Sequence, residues 1–303
     1  MCAFLFRNHV PTSSNSSGTD VKADFEFDDF FAQFKDDGGG CEVGSTVLYA
    51  DMMDSTQNVV QSVISDVPKG FLCVANRQTK GRGRGSNEWT SPPGCLLFTF
   101  VTRFPITMGT NLPFMQYLVG LAVIESIRSL DPCCEHLDLN LKWPNDIYAN
   151  KSKKIGGVLC QSSLFRRTFE VAIGVGLNID NSEPSTCLND LFSSSSSSMK
   201  RRLTRGEVLG RFCVTFQNML DVFVKRGFSP FESSYYRYWL HTDQHVHAVV
   251  DEDTNEQVSM RVKGLTKQGA LLAEELTTGR KHELYPDGNR FDFLKGLVSK
   301  KKK

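Results

Sequence analysis

Hydrophobic and polar positions alternate along the chain in patterns that predict strands and helices from about Cys41 onward. Strand patterns are STVLYA (45–50), FLCVANR (71–77), CLLFTFVTR (95–103) and LDLNLKW (137–143). Helical periodicity occurs in DSTQNVVQSVI (54–64), LPFMQYLVGLAVIESIRSL (112–130) and 204–227. Asp54 or Ser55 would cap the first helix, and Thr204 with Glu207 fits a capping box for the last.

Two further strand patterns, KIGGVLCQSSL (154–164) and FEVAIGVGLNI (169–179), are joined by a charged turn. In the second, large apolar residues alternate with Ala172, Gly174, Gly176 and Asn178. One face of this strand therefore packs on a core, and the other is nearly bare backbone. A strand without side chains on one face indicates that something else lies against it.

Changes in composition and in hydrophobic pattern divide the chain into four parts. Residues 1–42 end in KDDGGG and are predicted to be a disordered or flexible extension. A main domain over 43–238 contains a low-complexity loop, Ser193 to Ser198. Short strand patterns such as HVHAVV and GALLAEE predict a small β-barrel over 239–298. Residues 299–303 form a basic tail.

Composition excludes several classes of protein. With 35 Lys and Arg against 34 Asp and Glu, the formal charge of +1 gives no global field for nucleic acid. No apolar run approaches the roughly 20 residues of a membrane helix. Nine cysteines without a CxxC pair favour reduced thiols in a reducing compartment. The Ser-rich stretch 7–20 fits either a disordered tail or an organelle transit peptide, so we expect a cytoplasmic protein and keep plastid or mitochondrion open.

The segment TKGRGRGSNEWTSPPGC (79–95) is the first candidate for chemistry. Its glycines leave backbone amides accessible, while Arg82 and Arg84 carry planar cations suited to phosphate or carboxylate oxygens. The pattern is neither GxxxxGK[ST] nor GxGxxG, and alone it leaves an anion site and a solvated loop equally open. RNA binding is disfavoured because arginine-glycine tracts that bind RNA are long and repeated, whereas this one is short.

Three more motifs complete a candidate pocket: KWPND (142–146), KSKKIGG (151–157) and GVGLN (174–178). Lys142 and Lys154 would add positive charge beside glycine-rich strands. Ser55, Thr56 and Gln78 would read a neutral hydrogen-bonding head group, although Ser55 alone is more simply a helix cap. Together the motifs predict a site for an elongated organic acid beside a nucleotide phosphate.

The segments GRGRGSNEWTSPPGCLLFTF, LKWPNDIYANKSKKIGGVL and IGVGLNI, in this order, closely resemble the biotin protein ligases, also called holocarboxylase synthetases. The resemblance spans 43–298 and implies an α+β fold. That fold has a mixed, mainly antiparallel sheet with packed helices, the class II synthetase-like catalytic domain, plus a small SH3-like β-barrel. The implied enzyme forms biotinyl-5′-AMP from biotin and Mg-ATP. It then transfers biotin to a lysine on the carrier domain of carboxylases such as acetyl-CoA carboxylase.

The resemblance also assigns residues. Those implied to bind biotin are Ser55, Thr56, Gln78, Gly81, Arg82, Trp89, Lys154, Gly157 and Gly174. Those implied to bind ATP or the adenylate are Arg82, Arg84, Trp89, Lys142, Asn145, Asp146 and Asn178. Lys154, Arg84 and Lys142 would act in catalysis, and Asp146 would hold Mg²⁺.

Some positions depart from the family pattern. Gln57 stands where members commonly carry Asn, and Gly85 and Asn87 stand where some bacterial relatives carry further arginines. The first 40 residues show no helix-turn-helix pattern, so DNA binding is not expected. The alternative reading is a lipoate or octanoate ligase or transferase of the same fold. Octanoyltransferases of the cysteine type acylate a cysteine beside the pocket, and Cys160 is the candidate, although it is more simply a buried small residue. The sequence leaves the oligomeric state open.

Overall fold

The computed structural model describes residues 2–6, 24–35, 40–193, 201–251, 256–286, 289–292 and 297–300. Its larger sheet comprises β1 (Cys2–Phe6), β2 (Thr46–Met53), β3 (Leu72–Gln78), β4 (Cys95–Pro105), β5 (Leu139–Lys142), β6 (Asp146–Ala149), β7 (Lys153–Phe165) and β8 (Thr168–Asn178). The strand order is β1-β2-β3-β4-β8-β7-β6-β5. Over the described ranges, β2 and β3 are the parallel pair in this otherwise antiparallel sheet. The mixed, mainly antiparallel α+β fold is confirmed.

The helices are α1 (Phe27–Ala32), α2 (Thr56–Val63), α3 (Met115–Arg128), α4 (Leu188–Ser193), α5 (Arg205–Arg226) and α6 (Glu232–Tyr238). Short 3-10 helices span Ile106–Phe114, Pro132–His136 and Ser229–Phe231. The predicted capping box at Thr204 and Glu207 begins α5, and Gly227 ends it with a φ of 66°. Residues 194–198 of the predicted serine loop lie outside the described residues, whereas Ser193 is the last residue of α4.

Helices α3 and α5 cover one face of the large sheet and bury most of the core. On β4, the rings of Phe98 and Phe100 pack against Phe212 of α5 with centroids 5.2 and 5.8 Å apart. Helix α2 covers part of the opposite face, where Val60 packs against Val101 and Ala172. The rest of that face carries Gly157 of β7 and Gly174 and Gly176 of β8.

The predicted extension over 1–42 is corrected by the packing of its second half. Phe25, Phe30 and Phe34 are buried, and α1 packs along α5. The close approach requires glycine in α5, because a Cβ at Gly210 would lie 2.5 Å from the carbonyl oxygen of Phe30. The sequence around these phenylalanines has no clear helical periodicity, so it predicts no packed element. In the fold, the three rings are buried in the hydrophobic core beside α5. The predicted transit-like stretch lies outside the described residues.

The C-terminal region, where the sequence predicts short strands in a small β-barrel, forms a second sheet. It contains β9 (His245–Asp251), β10 (Glu256–Leu265), β11 (Leu271–Glu275), β12 (Lys281–Leu284), β13 (Asn289–Asp292) and β14 (Leu297–Lys300) in the order β12-β11-β10-β9-β14-β13. Strand β14 includes residues 299 and 300, so the predicted basic tail begins within a strand. No described helix is long and apolar enough to cross a membrane.

Candidate active site

The floor of the candidate site is a strip of bare backbone on β7 and β8. Gly157 lies directly opposite Gly176 in the register of the two strands, and Leu159 lies opposite Gly174. Val171, Ile173 and Val175 point into the core on the other face. The predicted separation of a packed face from a bare face is confirmed.

The arginine-glycine loop folds back onto this strip. The Trp89 amide donates to the carbonyl of Gly81 over 2.9 Å, and a Cβ at Gly81 would lie 2.3 Å from the Trp89 carbonyl oxygen. The loop thereby places the indole of Trp89 over the glycines. A Cβ at Gly176 would come within 2.5 Å of the ring, and one at Gly157 within 3.6 Å.

A polar cluster closes one end of the strip, at the N-terminus of α2. The backbone amide and hydroxyl of Thr56 both donate to Gln78 Oε1, over 2.8 and 3.1 Å. Gln78 Nε2 donates in turn to the hydroxyl of Ser91 over 3.2 Å. The predicted association of Thr56 with Gln78 is thus present in the fold.

Ser55 differs from the capping role considered from sequence. It is the N-cap residue of α2, but its side chain makes no capping hydrogen bond. Its amide instead donates to the carboxylate of Asp54 over 2.6 Å. The Ser55 hydroxyl is buried and has no hydrogen-bond partner within the described part of the chain. A buried hydroxyl of this kind costs free energy until a ligand or water meets it.

The two loop arginines point in different directions. Arg82 is exposed and donates from Nη1 to Asn58 Oδ1 over 3.0 Å, which holds it against the outer surface of α2. Arg84 is half-buried and lies close enough to Tyr117 for its charge to lower the pKa of that phenol, although burial raises the pKa more. The resemblance assigns Arg82 to biotin and the adenylate, and Arg84 to the adenylate and catalysis. In the fold the two side chains also have different surroundings.

Lys154 and Asp146 lie beside the glycine strip as an ion pair. Lys154 Nζ is 2.7 Å from Asp146 Oδ1, and it lies 5.6 Å from the centroid of the Trp89 ring. The lysine side chain would contact a Cβ at Gly157 at 3.6 Å. Since Asp146 pairs with Gly157 across β6 and β7, the fold brings a cation, an anion and the bare backbone together.

Lys142 and Asn145 flank this pair in the KWPND turn. The ammonium of Lys142 donates to the hydroxyl of Tyr148 over 3.3 Å. The side-chain amide of Asn145 donates to the carbonyl of Val158 over 2.7 Å, which ties the turn to β7. Both side chains line a small cavity together with Gln116, Tyr117 and Asp146.

Asn178, at the end of β8, is predicted to contact the nucleotide, yet its side chain is buried. Its amide nitrogen donates to the carbonyl of Thr186 over 3.0 Å. This bond anchors the segment that follows the strand. Contact between Asn178 and a nucleotide stays a prediction.

The fit of the site to Mg²⁺ rests on Asp146. Within the described residues, no group of three or more His, Cys, Asp or Glu side chains is placed to hold a metal ion. Mg²⁺ at phosphate-transfer sites is commonly held by one or two carboxylates together with substrate phosphates. Asp146 therefore fits an ion that arrives with ATP, and it does not form a protein-only cage.

Trp143 and His241 lie far apart in the chain, and no sequence motif joins them. Trp143 is buried, and its indole donates to the hydroxyl of Tyr117 over 2.7 Å. The backbone amide of Trp143 donates to His241 Nε2 over 2.9 Å. His241 Nδ1 therefore carries the proton and donates to Gln244 Oε1 over 2.8 Å.

The environment of His241 holds the imidazole neutral. Burial lowers its pKa to about 4, and the nearby charge of Lys142 acts in the same direction, against the hydrogen bond with Gln244. Tyr117 also donates to the carbonyl of Gly269. The KWPND turn is thus bonded both to α3 and to the C-terminal region.

Cys160 lies on the wrong face of β7 for a nucleophile in this site. It alternates with Gly157 and Leu159 and packs against the hydrophobic core. Burial raises the pKa of its thiol to about 12. The thiolate needed for acyl transfer is therefore disfavoured.

Known proteins resemble the chain over the same regions. A profile of the Biotin/lipoate A/B protein ligase family matches residues 49–178. Biotin–protein ligase 1, chloroplastic, of Arabidopsis thaliana is 41% identical over 265 residues, which cover 85% of this chain and 70% of that protein. The chain belongs to the biotin protein ligase family.

Other biotin protein ligases are also similar to this chain in sequence and in fold. Biotin–protein ligase 2 of Arabidopsis thaliana is 42% identical, over 85% of this chain and 78% of that protein. The solved biotin protein ligase of Aquifex aeolicus in complex with biotin and ATP is 26% identical, with a TM-score of 0.60 over 78% of this chain and 97% of that one. The lipoate ligase alternative is not favoured.

Proposed function

We propose that this biotin protein ligase joins biotin to ATP to form biotinyl-5′-AMP and then biotinylates a lysine of a carboxylase carrier domain. The roles proposed for individual residues rest on one arrangement in the site. A bare glycine strip runs between a closed polar end and the ammonium of Lys154. The polar end contains the Ser55 hydroxyl, which has no hydrogen-bond partner among the residues that the structure describes. This arrangement suits a ligand with a hydrogen-bonding ring at one end and a carboxylate at the other.

The polar end would receive the ureido ring of biotin. Ser55 and Thr56 supply hydroxyls, and Gln78 supplies an amide that can donate and accept. Gly157 and Gly174 leave room for the valeryl chain along the strip. Trp89, with the neighbouring Gly81, would form the wall that faces solvent.

In the first half-reaction, the biotin carboxylate attacks the α-phosphorus of ATP. A new oxygen–phosphorus bond forms, the bond between the α- and β-phosphates breaks, and pyrophosphate leaves. Two anions approach each other, so fixed cations stabilise the transition state most. Lys154 and Arg84 would hold the carboxylate and α-phosphate, and Arg82 would reach the ligand by exchanging Asn58 for it.

The KWPND turn would serve the polyphosphate end of ATP. Lys142 would contact phosphate oxygens, Asn145 and Asn178 would help to place the nucleotide, and Asp146 would bind Mg²⁺. A bound Mg²⁺ ion would neutralise charge on the leaving phosphates. Asp146 would exchange its bond to Lys154 for the metal, which would release that lysine to the ligand.

In the second half-reaction, the neutral ε-amine of the acceptor lysine attacks the carbonyl of the mixed anhydride. An amide bond forms, AMP leaves, and the amine loses its proton. The anhydride must be kept from water until the acceptor arrives, and the loop bearing Trp89 would do so.

The protein that accepts biotin and the cellular compartment of the enzyme are proposed separately. We assign the carrier domains of biotin-dependent carboxylases, such as acetyl-CoA carboxylase, as acceptors. Cytoplasm and an organelle both fit, and the chloroplastic relative from Arabidopsis thaliana supports the second. Fluorescent fusions of the full chain and of residues 24–303 would distinguish them in plant cells.

Incubation with ATP, Mg²⁺ and labelled biotin or lipoate tests the activity directly. We expect biotin-dependent pyrophosphate release and acid-stable labelling of a carrier domain. Labelling with lipoate and none with biotin would overturn the proposal.

A further inference from the structure

The polar end of the site extends further than the predicted head-group residues. A relay of six polar side chains, each within hydrogen-bond distance of the next, comprises Gln161, Gln57, Thr99, Thr56, Gln78 and Ser91. The hydroxyls of Thr99 and Thr56 supply two protons for the three links between Gln57 Oε1 and Gln78 Oε1, so two of these links are hydrogen bonds at any one time. Gln57 and Thr99 are buried, and Gln161 is half-buried. The relay links α2 to β3, β4 and β7 around the inner end of the glycine strip.

Gln57 joins Gln161 to Thr99 in this relay, and its side-chain amide makes three contacts where such an amide can make four hydrogen bonds. Its Nε2 donates to Gln161 Oε1 over 3.0 Å and to the carbonyl of Ala172 over 3.3 Å. Its Oε1 is 3.3 Å from the hydroxyl of Thr99. The amide is therefore fixed in one orientation, with no rotation that keeps all three contacts.

Gly174 makes room for this amide. A Cβ at position 174 would lie 2.6 Å from Gln57 Oε1 and 3.2 Å from Thr99 Oγ1. The face that the sequence left bare is thus occupied at its inner end by a side chain from α2. Gln57 forms a polar end wall across the strip, directly after the head-group residue Thr56.

A buried polar wall favours ligands that can form hydrogen bonds with its side chains over ligands that cannot. A cyclic urea offers two N–H donors and one carbonyl acceptor, so it can exchange bonds with the relay. A dithiolane ring or an alkyl chain offers neither, so the buried hydroxyl of Ser55 and the remaining acceptor position of Gln57 Oε1 would receive no hydrogen bond from it. Sites built to bond a polar group reject analogues that lack it by factors of about 10⁴ to 10⁵.

We propose that Gln57 and Gln161 determine head-group specificity, admitting a cyclic urea and rejecting an apolar head such as a dithiolane or alkyl chain. This assignment rests on the proposed function of the site. Gln57 acts on the ligand by closing the pocket and by fixing Thr99 and Thr56. Gln161 positions Gln57.

The test compares Gln57→Met and Gln161→Met in the full chain. Methionine keeps the length of the side chain and removes its hydrogen bonds. Pyrophosphate release is measured with biotin and with lipoate, each over a range of concentrations. For Gln57→Met we expect the ratio of kcat/KM for biotin to that for lipoate to fall about 100-fold or more, mainly through KM for biotin.

Gln217→Met is the matched control. Gln217 is also a buried amide with two hydrogen bonds, but it lies on α5 between Glu42 and Asp221. We expect it to lower the thermal midpoint without changing the ratio. If Gln57→Met does not fold, Gln161→Met decides, because its position is half-buried and leaves Gln57 in place.

The outcomes separate this inference from the proposed function. A wild-type protein that uses biotin, with variants whose biotin-to-lipoate ratio stays within twofold, would overturn the role of Gln57 and Gln161 alone. A wild-type protein that adenylates lipoate and not biotin would overturn the proposed function itself.

Discussion

The indole ring of Trp89 lies against the Cα of Gly176, so that a Cβ at position 176 would come within 2.5 Å of Cε2. Gly176→Ala should therefore push the ring away from the strip. Because misplacement by about 1 Å can cost about 100-fold in rate, we expect a loss of that order in kcat/KM for biotin-dependent pyrophosphate release.

Gly109→Ala is the control for this substitution. A Cβ at Gly109 meets Phe169 at an ordinary 3.4 Å, so little should change. Near-ultraviolet circular dichroism would report the displaced indole. An unchanged signal and an unchanged rate in Gly176→Ala would contradict the packing described for Trp89.

Arg84 and Arg82 should contribute unequally to adenylation. Arg84→Ala removes the half-buried cation near Tyr117, and we expect pyrophosphate release to fall by about 10²- to 10³-fold. Arg82→Ala removes a guanidinium already bonded to Asn58, and we expect a loss of about tenfold. Parallel rate measurements check this, and equal losses would refute the separation of roles.

Lys154→Met should impair the first half-reaction. The lysine is 40% exposed in its ion pair, so its removal should change stability little. Pyrophosphate release should fall about 100-fold or more, because the transition state loses a fixed cation. Lys153→Met, at the exposed neighbour, should retain activity. If Lys154→Met slowed only transfer from pre-formed biotinyl-5′-AMP, the lysine would belong to the second half-reaction.

His241 should make stability depend on pH. Burial lowers its pKa from 6.5 to about 4, so between these values the unfolded chain binds the proton that the folded chain excludes. The free energy of unfolding is therefore complete above pH 6.5 and falls by roughly 3 kcal/mol as the pH drops towards 4.

His241→Gln retains an acceptor for the Trp143 amide and does not titrate. Urea unfolding at pH 7 and pH 5 should show a smaller loss of stability in this variant than in the wild type. His245→Gln, at an exposed histidine, should behave as the wild type does. Equal losses in all three proteins would exclude His241 as the source.

Phe30 should stabilise the catalytic region although it lies in the segment expected to be flexible. Its side chain is 1% exposed against α5, and its removal leaves a cavity. We expect Phe30→Ala to cost about 3 to 5 kcal/mol of unfolding free energy by urea titration, while Asp28→Ala at an exposed position costs little. If Phe30→Ala lowered the free energy of unfolding by less than about 1 kcal/mol, residues 24–35 would not contribute to the stability of the catalytic region.

The local pattern of the sequence determined the strands, the bare face of β8 and the capping box of α5. These features depend on spacings of two to four residues, which a sequence displays directly. The same spacing shows that Cys160 points away from Gly157, which agrees with its simpler reading as a buried small residue. The grouping of Thr56, Gln78 and Lys154 in one pocket followed from the motifs themselves, and the resemblance to biotin protein ligases added the ligand that each would bind.

Only the tertiary structure decided which distant residues meet. The burial of α1 follows from Gly206 and Gly210 on a helix that begins almost 180 residues later. Likewise, the end wall of Gln57 requires β4, β7 and β8 to lie side by side beneath α2. Such contacts depend on strand order and helix placement, which local periodicity does not encode. The sequence therefore determined what kind of site the chain builds, and the packing of distant segments decided how that site is closed.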